Sequence, residues 1–307
     1  VTLSDTGNMS ASALNTLNGK VPGTLTVTNA VTLTGTASAI ATAASADGTG
    51  SLALASNFGA TVDAAAVNAT DLTTIYGQTS ATIDATGATA INGTASAVAT
   101  VINHGQVNHD ANFHVTLSEA AATGVQLTDI DAATNQIVDG DLVTTISGTT
   151  TQVAAAAELD RLGTTTLKAN FGATVTGTAT ATELAQIYAR TSATINATAV
   201  TAINGSAADV HTAIDHAQVN HDTNFTVTIS GTSAAAADLK AIDLVTSGVI
   251  TATGVETLTG TLSDVEAVID VDTNTSATGQ QIDIDTDFNV TLSDTGNMSA
   301  SALNTLN

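Results

Sequence analysis

The chain has 307 residues, with 28 acidic side chains against five lysines and arginines, and only 2% of it is aromatic. The resulting charge of −23 argues against nucleic acid or an anionic membrane as partner. The absence of cysteine excludes disulfides and thiol chemistry, and so few aromatic residues exclude a deep globular core.

Disorder is excluded as well. The hydrophobic fraction is 43%, Pro22 is the one proline, and β-branched residues recur in phase. No run of about eighteen apolar residues occurs, so membrane insertion is not expected.

Val1 to Asn18 reads VTLSDTGNMSASALNTLN, and Val290 to Asn307 repeats it without a change, a period of 289 residues. This pattern reads as one period, plus an overlap, of a longer tandem array. Next along the chain, Leu25 and Val27 alternate with Thr24, Thr26 and Thr28, and Val31 and Leu33 with Thr32 and Thr34. That alternation predicts strands, apolar side inward and threonine side outward.

A turn at Gly35 belongs to a phrase that recurs at Gly93, Gly148, Gly205 and Gly260, with gaps of 58, 55, 57 and 55 residues. The phenylalanines form a second lattice: Phe58, Phe113, Phe171, Phe225 and Phe288. Helix-start signals follow a strand at Thr149-x-x-Gln152, Thr180-x-x-Glu183, Ser206-x-x-Asp209 and Thr261-x-x-Asp264. Apolar residues then fall four apart, as in Val210/Ile214 and Val265/Ile269, which predicts short one-faced helices. Such helices are too short to be stable alone and must dock on neighbours.

The expected fold is a right-handed solenoid of stacked coils of about 29 residues, each strand, turn, strand and short helix. Its sheets are parallel and its helices lie on one side. Residues 1–307 form one continuous run of about ten coils, in five two-coil units, in which 290–307 restarts the period of 1–18. An all-β solenoid is the alternative; tandem immunoglobulin-like domains fit less well, because the repeat is far shorter than about 100 residues.

Two clusters are candidates for chemistry. His104, His109 and His114 surround Gln106-Val107-Asn108-His109-Asp110, and a copy at Gln218 to Asp222 carries His216 and His221. A histidine spacing of five is not a zinc pattern. Aligned on the phenylalanines, His109 and His221 stand where sister units have Leu54, Leu167 and Ile284, so polar core or corner residues are the stronger expectation.

The second cluster is Asp270, Asp272 and Asn274 followed by Asp283, Asp285 and Asp287. It begins like a calcium loop but has Thr275 at the sixth position and Gln281 at the twelfth, where such a loop needs Gly and Glu. Calcium is the one candidate cofactor; the competing reading is a solvated acidic face that deters lateral aggregation. Threonine ladders such as Thr174, Thr176, Thr178 and Thr180 suit an ice-binding face, or are simply outward strand positions. No catalytic set is expected; a polysaccharide lyase on a β-helix would need clustered cations that this chain does not have.

The phrase from Val31 to Ser38, with Asp209 or Asp264 entering a short helix, resembles very long, repeat-rich bacterial cell-surface and extracellular proteins, including those of cyanobacteria. The resemblance implies secretion, no catalytic residues, and a role in surface layers, adhesion or matrix fibres. The function expected is thus a structural part of an extracellular fibre, stalk or cell-surface layer, with self-association end to end or along a giant chain. A calcium-dependent adhesin stalk or an ice-binding solenoid is the alternative.

Overall fold

In a computed structural model of the chain, residues 1–27, 29–273 and 282–295 are described. Thr28, Asn274, Thr275, Gln281 and residues 296–307 lie outside the described residues, as does the side chain of Asp272. The architecture is mixed α/β, with parallel strands in several sheets and ten helices among the described residues. The all-β alternative is therefore corrected: the residues after each Gly-Thr phrase carry helix caps and helical apolar spacing, and they fold as helices. Two compact units are present, Val1–Thr144 with Leu159–Lys168, and Thr145–Glu158 with Ala169–Asn307.

In the first unit the helices are α1 (Ala11–Asn18), α2 (Ala37–Gly48), α3 (Ala69–Tyr76), α4 (Ala95–Ile102) and α5 (Gly124–Ala133). Between them the chain returns to the same rows of strands. Thr2 pairs with Thr26, and Gly7 with Val31, each 24 residues on. Thr32 pairs with Gly59, Ala60 with Ile83 and Ile83 with Val107. The predicted alternation holds: Leu25, Val27, Val31 and Leu33 are buried, while Thr26, Thr32 and Thr34 are half-exposed. Facing a neighbouring strand on each side, these short segments gain the pairing that none has alone.

The helix steps along the strand rows. α1 and α2 follow the row of Gly7–Ser10 and Val31–Gly35, but α3 and α4 follow the next row, Ala66–Asn68 and Ala90–Asn92. The starts of α1 and α2 are 26 residues apart; those of α2 and α3 are 32 apart. The longer connection contains one more strand segment. This is the cause of the two-coil period in the glycine lattice, and it replaces the expected uniform coil of about 29 residues.

The second unit contains α6 (Thr150–Leu162), of which the residues through Glu158 belong here, α7 (Ala181–Tyr188), α8 (Ala207–Asp215), α9 (Ala236–Asp243) and α10 (Leu262–Thr273). Its long strands Gly172–Thr180 and Ile195–Gly205 pair in parallel, with register shifts near Thr176 and Gly177. The second of these then holds two later strands side by side, Val219–His221 and Thr226–Ile229. The helix again moves one row: α7 and α8 follow the long strands, α9 and α10 follow Ser233–Ala235 and Thr257–Gly260.

Gly93 shows why the phrase needs glycine. Its φ is +153°, a region L side chains rarely adopt, and Gly148 and Gly260 repeat it within a degree. The residue after Gly93, Thr94, is the N-cap of α4, and its hydroxyl accepts from Ala97 N–H at 3.1 Å.

Candidate functional site

The histidine cluster occurs once in each unit, built on the same frame. Phe58 and Phe113 in the first unit, and Phe171 and Phe225 in the second, are almost fully buried; Phe288 is half-buried. About twenty residues after each buried ring stands a buried threonine: Thr79, Thr134, Thr191 and Thr246. Each hydroxyl donates to the carbonyl of its phenylalanine. Each also accepts from the backbone N–H two residues on, in Ala81, Gln136, Ala193 and Gly248, at 3.0–3.1 Å. The side chain thereby ties one pass of the chain to the next. Sequence reading missed these four, because a buried threonine in a threonine-rich chain carries no distinguishing signal except its distance from the phenylalanine.

On this frame the first cluster assembles. Gln106 Nε2 donates to Thr79 O at 3.0 Å and Ala81 O at 3.3 Å. His104 stacks on Tyr76, with ring centroids 3.8 Å apart, and its Nδ1 accepts from Gln106 N–H. His109 Nε2 lies 3.2 Å from Ile102 O and Nδ1 3.0 Å from Asp110 O, with the ring edge against Phe113. His114 contributes its backbone: its carbonyl accepts from Ile91 N–H and its N–H donates to Thr89 O.

The second unit repeats this contact for contact. Gln218 reaches Thr191 O and Ala193 O, His216 stacks on Tyr188, and His221 lies between Ile214 O and Asp222 O. Thr226 takes the place of His114. The arrangement fixes a corner: both ring nitrogens of His109 and His221 face carbonyl oxygens, which accept only. His104, His109 and His114 do not converge, and no three His, Cys, Asp or Glu side chains among the described residues form a group that could hold a metal ion.

The acidic cluster is only partly described. Asp283 is exposed between buried Ile282 and Ile284, as alternation requires. Asp285 accepts from Thr286 N–H at 2.7 Å, and Asp222 from Thr223 N–H at 2.7 Å; Asp110 accepts from Asn112 N–H. These carboxylates close turns at the same corner. Asp287 is exposed, and Asp270 lies near the end of α10.

Charged contacts on the helices also run between turns of the chain. Lys240 Nζ donates to Asp264 Oδ1 at 2.9 Å, and His211 Nδ1 lies 2.8 Å from Asp238 Oδ1. The hydrogen bond from Lys240, with one from Thr261, lowers the Asp264 pKa. Burial raises that of Asp243, which ends α9.

All four predicted helix starts are hydrogen-bonded. Thr180–Glu183 and Thr149–Gln152 close reciprocally. At Ser206–Asp209 and Thr261–Asp264 the shorter aspartate accepts the cap's own hydroxyl instead. A fifth box, Thr123–Gln126, was not foreseen. No protein family, curated protein or solved structure matches the chain.

Proposed function

We propose that the chain is a segment of a right-handed solenoid whose work is structural, as part of an extracellular fibre, stalk or cell-surface layer. The observation that carries this reading is the steady return of parallel strands at offsets near 24 residues, in a chain that restarts its own sequence after 289. Each pass of the chain buries its apolar face on the next, which is how a repeat protein grows along one axis.

The side chains that looked chemical support the same reading, because they are occupied by backbone: histidine, glutamine and threonine join consecutive passes. The charge of −23 keeps the sides of neighbouring copies apart while leaving the ends to associate. No helix among the described residues is long and apolar enough to cross a membrane.

Antibody labelling of intact, unpermeabilised producing cells in the electron microscope tests the assignment. Label on the cell surface or on filaments around the cells is expected. Label found only after permeabilisation would overturn the extracellular role.

A further inference from the structure

The restart of the sequence places one segment in two settings. In the second unit, Asn289–Leu292 pairs in parallel with Thr257–Gly260, Leu258 beside Val290 and Thr259 beside Thr291. Ser293 N–H then donates to Gly260 O at 2.8 Å. Asp294 Oδ2 accepts from Leu262 N–H, the first residue of α10, at 2.7 Å. Glu119 does the same for α4, accepting from Ala95 N–H at 2.6 Å. An acid that follows the strand thus caps the preceding helix, where its charge also suits the helix dipole.

Val1–Asp5 is identical to Val290–Asp294. In the first unit this copy borders an open depression of about 260 Å³ lined by Leu3, Asp5, Met9, Ala13, Leu14 and Leu17. Asp5, the counterpart of Asp294, is exposed there, and Met9 and Leu17 are half-buried.

We propose that this face docks a second copy of the chain by strand exchange: Val1–Asp5 of one copy takes the seat of Val290–Asp294 on Thr257–Leu262 of another. Thr2 then lies beside Thr259, Leu3 beside Gly260, and Asp5 caps α10. Because the exchanged segments are identical, every backbone bond lost is remade, so the exchange itself is close to neutral. The apolar side chains of the depression gain cover from the neighbouring copy, which favours the joined state. The contact is head to tail and does not close on itself, so copies add into a filament. This inference rests on the solenoid reading and names its joint.

The chain contains no cysteine, so introduced cysteines report against a clean background. A Thr2→Cys chain is mixed with a Thr259→Cys chain of different tagged size and oxidised mildly. Adjacent strands lie about 4.8 Å apart, within disulfide reach. A mixed covalent dimer, and little of either homodimer, is expected. Homodimers alone, or no dimer, would overturn the proposal.

In a second variant, Thr259→Cys with Thr291→Cys, an internal disulfide holds the resident segment in place. Sedimentation velocity should show loss of the higher oligomers formed by the unaltered chain; unchanged association would also overturn the proposal. X-ray scattering of the locked monomer separates the two readings. An extended rod keeps the solenoid even if the joint fails, whereas a compact particle removes the solenoid itself.

Discussion

The buried threonine hydroxyls are the residues on which the corners depend. Thr79 is 6% exposed, and its hydroxyl both donates to Phe58 O and accepts from Ala81 N–H. Thr79→Val keeps the shape but leaves both groups without a partner, and should lower stability by about 1–3 kcal/mol in urea unfolding. Thr150 is the opposite case: its hydroxyl is fully buried with no hydrogen-bond partner among the described residues. Thr150→Val should raise stability by about 1 kcal/mol in the same assay. Asp243 adds a pH-dependent term. Burial raises its folded pKa, so its contribution is most favourable in acid and is lost as pH rises through that value. Asp243→Asn should therefore raise Tm at neutral pH, and the gain should shrink below the ordinary carboxylate range. Asp264 has the reverse sign: the Lys240 hydrogen bond lowers its pKa, and that contribution fades only as pH falls through the folded value.

At the scale of elements, the caps decide where the short helices begin. α7 has only eight residues and a complete Thr180–Glu183 box. Thr180→Ala should cost about 1 kcal/mol, read in the same unfolding curves. These boxes were legible in sequence because a cap is local, with partners three residues apart. The strand faces of Leu25 to Thr34 were legible for the same reason. The stepping of the helix from one strand row to the next was not: it follows from register, and register joins residues 22 to 32 apart. The histidines were visible as a cluster. Their occupation by Ile102 O, Asp110 O and their copies was not, because carbonyls are the same at every position of the sequence.

At the scale of the molecule, the central claim is that the chain grows along one axis by adding near-equivalent passes. Parallel pairing within each unit and the 289-residue restart both support it. X-ray fibre diffraction from aligned native material tests it most directly. About ten passes per period, each about 4.8 Å tall, predict a meridional reflection near 4.8 Å and a longer axial repeat near 48 Å. Material that gives no meridional 4.8 Å reflection, or only isotropic scattering from compact particles, would contradict the account.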